Sequence, residues 1–482
     1  MIEFENVSFS YYGAKEKFAV RNVNLSIKKG EVVLFCGKSG CGKTSLVRLV
    51  NGLIPNYYQG CLEGTVQING EKQTKIEQTS KIVGSVFQNP RTQFFNVETT
   101  SEVVFACENF GINPKDMELR LEKTIDKFQL EHLLNRNLFK LSGGEKQKIA
   151  CASVDMAQTE IVVMDEPTSN LDTKSIQTLQ EVLKIWKQQG KTILIAEHRI
   201  SYLRDIVNRV ILVEDGQIVF DLPINEFLSK GEDVVNFGLR CLNPIHFSEK
   251  SVAECNETAI EVQDLSVCYE KEIVLSIPSL RIPKGRIVGL IGHNGAGKTT
   301  FAHCLCGLLK EESGKIFFDE KLKKHNKRKQ ECYLVFQDVN HQLFTESVLD
   351  EVILGAKPPY IDNGVDELIA DLGLSQLQTE HPMSLSGGEK QRVAIASAIT
   401  SQRKILIYDE PTSGLDYVHM NQFALQLENL SQKGFTQLVI THDPELIEKC
   451  CDYVICFQKG GILWQGNLDK EISEIMSKFF KL

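Results

Sequence analysis

The sequence predicts an α/β protein of two similar tandem domains, each a largely parallel sheet with helices packed on it. Three observations carry this expectation. The chain has 482 residues, too many for one ordinary core when domains run to about 100–250 residues. The stretch IEFENVSFSYYGAKEKFAVRNVNLSIKKGEVVLFCGKSGCGKTS recurs as IEVQDLSVCYEKEIVLSIPSLRIPKGRIVGLIGHNGAGKTT. Within each half, apolar runs such as EVVLFCG, EIVVMDE and KTILIAEH alternate with longer periodic stretches such as SIQTLQEVLKIWKQQG. The former read as strands and the latter as helices, and strand–loop–helix alternation implies parallel pairing.

The repeat is long. Lys43 and Lys298 are 298 − 43 = 255 residues apart, and Ser142 and Ser386 are 386 − 142 = 244 apart. Solenoid units run only to about 20–50 residues, so this is a whole duplicated domain. The expected boundaries are a first domain over 1–233, a linker over 234–258 and a second domain over 259–482. Fully extended, the linker would reach about 80 Å at ~3.3 Å per residue, enough for the domains to fold back face to face.

Hydrophobic residues make up 42% and charged residues 24%, the composition of a soluble globular chain. No uninterrupted run of about 18–20 apolar residues suggests a membrane span. The start, MIEFENVSFSYYG, has no basic segment followed by an apolar one, so no secretory signal is expected. The 14 cysteines lack the paired spacing of a zinc or iron–sulfur site and read as free thiols in a reducing cytosol. A net charge of −9 argues against a nucleic-acid partner.

Two segments fit the phosphate-loop pattern G-x-x-x-x-G-K-[ST]. They are Gly37-Lys38-Ser39-Gly40-Cys41-Gly42-Lys43-Thr44 and Gly292-His293-Asn294-Gly295-Ala296-Gly297-Lys298-Thr299. Each follows an apolar strand and precedes a helical pattern, the context that makes the match meaningful. Glycines let backbone N–H groups wrap phosphate oxygens, and the helix N-terminus adds a favourable dipole. Lys43 and Lys298 are expected to reach the β- and γ-phosphates, and Thr44 and Thr299 to ligate Mg²⁺. Cys41 inside the first loop is either a small tolerated residue or an oxidation switch.

Four apolar residues precede Asp165-Glu166 and again Asp409-Glu410. A buried strand ending in adjacent carboxylates puts Asp165 and Asp409 at the Mg²⁺ shell, with Glu166 and Glu410 placed to orient and deprotonate the attacking water. Shortly before each acidic strand come LSGGEKQKIA (141–150) and LSGGEKQRVA (385–394). Ser-Gly-Gly opening a helix can hold an anion or simply cap the helix.

With these motifs in place, the sequence resembles the ABC ATPase family over nearly its whole length. The resemblance implies two tandem phosphate-loop nucleotide-binding domains, each with an N-terminal antiparallel β part and a helical subdomain that carries the signature. It also implies ATP and Mg²⁺, and head-to-tail halves in which each ATP lies between one phosphate loop and the opposite signature. The first site would then join Tyr11, the loop Gly37–Thr44, Gln88, Asp165, Glu166 and His198 to Ser386 and Gly388. The second would join Tyr269, the loop Gly292–Thr299, Gln337, Asp409, Glu410 and His442 to Ser142 and Gly144. Tyr11, or its neighbour Tyr12, and Tyr269 would stack on adenine. Asp172 and Asp416 match the loop that bridges the sites. The first histidine lies in EHR where the second lies in the commoner THD, a departure that bears on whether the two sites behave alike.

The stretches VFQNPRTQFFNVETTSEVVFACEN and VFQDVNHQLFTESVLDEVILGA share Q-x-x-x-x-Q-x-F, with Gln93 and Gln342 as the second glutamine. This looks like the ATPases of energy-coupling-factor (ECF) importers, in which Glu102, Val103, Phe105, Glu108 and Asn109 here match the run after the glutamine. The resemblance implies a transmembrane coupling subunit docked on this region, a separate substrate-binding membrane subunit, and a place on the cytoplasmic face of the membrane. Phe95 and Phe344 would be either core residues or the lining of that docking groove. Two other classes stay open: a soluble twin-domain ABC protein acting on ribosomes or nucleic acid, and the ATPase of a tandem sugar importer. The basic run KLKKHNKRKQ (321–330) is expected as a solvated loop, with contact to anionic lipid or RNA as the alternative.

Overall fold

The computed structural model describes residues 1–13, 18–72, 75–169, 171–230, 237–243, 245–250, 257–269, 272–358 and 364–480. Parts of the expected 234–258 linker (234–236, 244 and 251–256) lie outside the described residues. The chain divides into two compact units, the first reaching from Met1 to Pro244 and the main part of the second running on from Ile245.

Each unit holds two sheets. In the first unit the larger sheet has the strand order Gln217–Pro223, Arg209–Glu214, Val32–Cys36, Thr192–Ala196, Ile161–Asp165, Val83–Val86. All neighbours pair in parallel except the hairpin of the first two. The second unit repeats this order as Gly461–Asn467, Tyr453–Gln458, Ile287–Ile291, Thr436–Ile440, Ile405–Asp409, Cys332–Val335, again with one antiparallel hairpin at the edge. Antiparallel four-stranded sheets, centred on Ile2–Tyr11 and Thr258–Tyr269, complete the units.

The central strands are apolar throughout because both faces are covered, as parallel sheets require. Side chains alternate between two cores. Val32, Leu34 and Cys36, with Val162, Met164, Ile193 and Ile195, face a core closed by helices. Val33, Phe35, Val163, Leu194 and Ala196 face a second core shared with the antiparallel sheet and the helix Lys43–Val50. The helix Thr173–Gln188 shows how sequence fixes one of these layers. Asp172 caps it by accepting from the Ser175 N–H at 2.9 Å. Its buried residues Ile176, Leu179, Val182, Leu183 and Trp186 recur at helical spacing.

The basic run departs from the solvated loop expected of it. Lys321–Leu322 is an edge strand and His325–Arg328 a short helix. Most of its lysines are exposed, but Arg328 is buried. Its guanidinium forks onto the Glu311 carboxylate at 2.8 and 2.5 Å and donates to the carbonyl oxygens of Lys323 and Cys304. A planar fork with five donors can pair with a carboxylate at two points and still reach two carbonyls.

Candidate functional site

Each phosphate loop joins the end of a central strand, Val32–Cys36 or Ile287–Ile291, to a helix that begins at Lys43 or Lys298. Only glycine fits at the turn out of the strand. Gly37 has φ +141°, and a Cβ there would lie 2.2 Å from the Val213 carbonyl oxygen. Gly292 repeats this at φ +139°, 2.3 Å from that of Phe457. The Lys43 ammonium lies folded into its own loop, donating to the carbonyl oxygens of Gly37 and Lys38 at 2.9 Å. Lys298 does the same with Gly292 at 2.6 Å and His293 at 3.2 Å. Both ammonium groups are therefore held inside a ring of backbone, available to an anion that enters it.

Cys41 is buried beside Lys43, its sulfur 3.7 Å from Nζ, and burial pushes its thiol pKa up. A buried, protonated thiol makes a poor redox switch. The described cysteines are all free.

The strands Ile161–Asp165 and Ile405–Asp409 deliver the carboxylates to the helices that open with the lysines. Thr44 Oγ1 donates to Asp165 at 2.9 Å, and Thr299 Oγ1 to Asp409 at 3.0 Å. Burial, reinforced by the neighbouring Glu166 charge, raises the Asp165 pKa to about 6. Burial likewise raises that of Asp409. In both, burial outweighs the cations nearby, Arg48 and Lys43 for Asp165 and His303 and Lys298 for Asp409. A hydroxyl and a carboxylate form a hard-oxygen donor pair suited to Mg²⁺, which keeps waters and phosphate oxygens as its other ligands. Among the described residues no group of three or more His, Cys, Asp or Glu is placed to hold a metal ion.

Glu166 and Glu410 both have a left-handed backbone, at φ +42° and +49°. For a residue with a Cβ this costs on the order of 1–3 kcal/mol and persists where surrounding contacts enforce it. Here the Glu166 N–H donates to Ala196 O at 2.8 Å and the Glu410 N–H to Ile440 O at 2.9 Å. The turn aims the Glu166 carboxylate at two groups. Gln88 Nε2 donates to it at 2.7 Å, and His198 Nε2 lies 3.2 Å away. Among the described residues the buried His198 ring makes no aligned hydrogen bond through either nitrogen, although Nε2 lies close to Glu166. In the second unit, His442 Nε2 lies 3.4 Å from Glu410, 3.2 Å from Lys298 Nζ and 3.2 Å from Asn294 Oδ1. Gln337 is exposed at the end of Cys332–Val335.

The structure thus gathers Lys43, Thr44, Gln88, Asp165, Glu166 and His198 in one place, and their counterparts Lys298, Thr299, Asp409, Glu410 and His442 in another. Within each unit the signature residues stand apart from that unit's own cluster. Ser142 and Ser386 cap the helices Gly143–Met156 and Gly387–Thr400 through reciprocal bonds with Glu145 and Glu389. Although burial opposes it, these bonds hold both glutamates below their ordinary pKa. Among the described residues no hydrogen bond or ion pair joins Ser142 or Gly144 to the Lys43 cluster of their own unit, nor Ser386 or Gly388 to the Lys298 cluster of theirs.

A cleft of about 330 Å³ over the first loop is lined by Tyr11, Phe18, Lys43, Thr44 and Glu166, among others. Tyr11 is half-buried, with its hydroxyl 2.9 Å from Ser45 Oγ and its ring edge-on to Phe9. Tyr12 and Tyr269 are exposed. Phe18 was not singled out from the sequence, because a lone aromatic before a strand carries no signal of its own. Glu197 and Asp443 were also missed: they flank the two histidines and hold the turns after Glu166 and Glu410 through Thr168 and Thr412, at 2.6 and 2.7 Å. Their signal was present in the pairs EHR/DEPT and THD/DEPT.

Phe95 and Phe344 are 78% and 76% exposed. Buried Glu102 accepts from the backbone N–H groups of Phe95 and Asn96 at 3.0 and 2.8 Å, and buried Glu351 from those of Phe344 and Thr345 at 2.8 and 3.0 Å. The second glutamine of each motif ties this loop to the first. Gln93 Oε1 accepts from Phe87 N, and Gln342 Oε1 from Phe336 N, both at 3.2 Å. No helix among the described residues is long and apolar enough to cross a membrane.

Comparison with known proteins agrees with this geometry. The family model for ABC transporters matches residues 20–169 and 275–413. A Treponema denticola protein named for ABC transporter ATP binding is 45% identical, over 96% of this chain and 96% of its own. A Bacillus subtilis protein named for HMP/thiamine import ATP binding is 30% identical, over 97% of this chain and 91% of its own. In fold, the chain is similar to one in a model of ribosome-bound archaeal Pelota and ABCE1. The TM-score is 0.73 at 22% identity, covering 98% of this chain and 80% of that one.

Proposed function

We propose that this chain, which belongs to the ABC transporter family of ATPases, is the energising subunit of an ECF-type importer. Its cargo would be a vitamin, a vitamin precursor or a metal cation. The observation that carries the reading is the pair of phenylalanines, Phe95 and Phe344, presented to solvent on loops that buried glutamates hold in place. Nothing in ATP chemistry requires such a ring. An exposed apolar side chain on a fixed loop is what a docking partner needs. The similarity to a protein named for HMP/thiamine import supports the same direction. The partner would be a transmembrane coupling subunit that works with a separate substrate-binding membrane subunit, placing this chain at the cytoplasmic face. The first domain would span 1–233 and the second 259–482.

In each half the reaction is hydrolysis of ATP. Lys43 and Lys298 would exchange their loop carbonyls for β- and γ-phosphate oxygens. Thr44 with Asp165, and Thr299 with Asp409, would hold Mg²⁺, which when bound neutralises charge on the phosphates. Glu166, steadied by Gln88, would orient the attacking water and take its proton, and Glu410 with Gln337 would do the same. His198 and His442 would contact the γ-phosphate. Tyr11 and Tyr269 would support the adenine, and Ser386 with Gly388, and Ser142 with Gly144, would complete the opposite halves' sites.

Phe95→Ala and Phe344→Ala test the docking role. Truncating such an anchor typically costs about 2 kcal/mol or more, a weakening of more than tenfold. The variants should fold and bind ATP yet disappear from membrane fractions. Wild-type protein that sediments with ribosomes and never with membranes would instead favour the ribosome-associated class.

A further inference from the structure

The two halves write the residues around their histidines differently, Glu197-His198-Arg199 against Thr441-His442-Asp443. The structure assigns one role to Glu197 and Asp443. Each is the positioning carboxylate that clamps its half's water-orienting glutamate to its histidine, from opposite sides of that histidine.

In the first unit, Thr168 Oγ1 donates to Glu197 Oε2 at 2.6 Å. Glu197 Oε1 accepts from the backbone N–H groups of His198 and Arg199 at 2.7 and 3.2 Å, and the Tyr202 hydroxyl donates to Oε2 at 3.3 Å. In the second unit, Thr412 Oγ1 donates to Asp443 Oδ2 at 2.7 Å. Asp443 Oδ1 accepts from the N–H groups of Glu445 and Leu446, and Thr441, in the place of Glu197, accepts from the Asp443 N–H at 3.0 Å. Thr168 and Thr412 are equivalent residues, two positions after Glu166 and Glu410. All four clamp residues are buried.

The clamp acts on a strained turn. Glu166 and Glu410 are held left-handed, and each turn is already pinned once by a backbone bond to the strand that carries its histidine. The Thr–carboxylate bond is a second pin to the same strand end. Two pins fix both position and rotation, which sets the approach of Glu166 to His198 at 3.2 Å and of Glu410 to His442 at 3.4 Å. A charged acceptor is the suitable partner, because a charge-assisted bond is about twice as strong as a neutral one. A glutamate one residue earlier reaches the same threonine that an aspartate reaches from one residue later. The unlike triplets therefore build the same clamp.

This inference rests on Glu166 and His198 acting in hydrolysis as proposed above. The test uses the full chain carrying Glu410→Gln, so that turnover reports the first site. Glu197→Thr should lower kcat by about tenfold or more while KM for ATP stays within about threefold, the pattern of lost transition-state positioning. Moving the carboxylate across the histidine, in Glu197→Thr/Arg199→Asp, should restore most of the loss. Thr168→Val should reproduce the fall and add less than about twofold to Glu197→Thr. Melting temperatures accompany each variant. The clamp is refuted by full turnover in folded Glu197→Thr, or by a folded double variant that is no faster than Glu197→Thr. If Glu197→Thr does not fold, full turnover in folded Thr168→Val refutes it instead. Undiminished turnover in Glu166→Gln/Glu410→Gln would reject the role of Glu166 itself, a separate outcome from any of these.

Discussion

Replacing Asp165 with Asn removes a largely desolvated charge that Arg48 and Lys43 offset only in part, and keeps an oxygen for the Thr44 hydroxyl. The Asp165 pKa is raised from 3.8 to about 6, chiefly by burial and then by Glu166. A carboxyl whose folded pKa exceeds its unfolded one contributes stability that is fully present below pH 3.8 and lost as pH rises through about 6. A shift of this size amounts to ~3 kcal/mol lost by pH 8, with about half already lost at pH 5. Asn has no such cost. In EDTA and without nucleotide, Asp165→Asn should therefore be the more stable protein at pH 8, by up to ~3 kcal/mol. For a domain of this size that is roughly 6–12 °C in melting temperature, with the gap narrowing by about half at pH 5. Adding Mg²⁺ and ATP should reverse the order, because ligand binding stabilises only a site that can complete its metal shell. Thermal melts at the two pH values, with and without Mg–ATP, measure all four quantities. An Asn variant that melts at or below wild type in EDTA at pH 8 would refute the desolvation argument. One that keeps the full Mg²⁺-dependent stabilisation would remove Asp165 from the metal site.

The remaining predictions concern chemistry, assembly and the core. Glu166→Gln and Glu410→Gln should each keep ATP binding and slow hydrolysis at their own site, by about 10²-fold where general-base help is lost; undiminished turnover in the double variant would exclude them as bases. Ser386→Arg should block labelling of the Lys43 site by a photoreactive ATP analogue and spare the Lys298 site. Damage confined to the Lys298 site would show that each half uses its own signature. Arg328→Ala should destabilise the second unit by about 3–5 kcal/mol, because Glu311 is left without its partner. A chemical denaturation midpoint equal to wild type would show that the pair contributes nothing.

The parts of this molecule that were legible in the sequence are those written as local patterns. VVLFC and IVGLI announced two-faced strands because every position is apolar, and both are fully buried. The duplicated phosphate loops and Asp-Glu pairs could be placed because each depends on a neighbouring strand and helix. The parallel sheets and their helices follow from that alternation. What stayed hidden were contacts between residues distant in the chain. KLKKHNKRKQ read as a solvated face because charge runs usually are, yet Arg328 within it is buried on Glu311, seventeen residues earlier. Tyr11 and Tyr269 occupy equivalent places in the repeat, but only the structure separates a half-buried ring from an exposed one.

The histidine triplets show why comparing letters between repeats misleads in one direction. Position by position, EHR and THD differ at the two residues that flank the histidine, and the difference reads as divergence between the sites. Physically, what the turn after Glu166 needs is an acceptor for Thr168, and the residues on both sides of a strand-end histidine can reach it. Glu has one methylene more than Asp, and its carboxylate comes back to cap the N–H groups of His198 and Arg199. Asp443 instead caps the helix Pro444–Cys450. Each side chain thus satisfies a different local backbone while holding the same hydroxyl. The quantity the two halves share is the partner, not the position. A search for equivalence between duplicated sites should therefore ask which buried donor is answered, and only then which residue answers it.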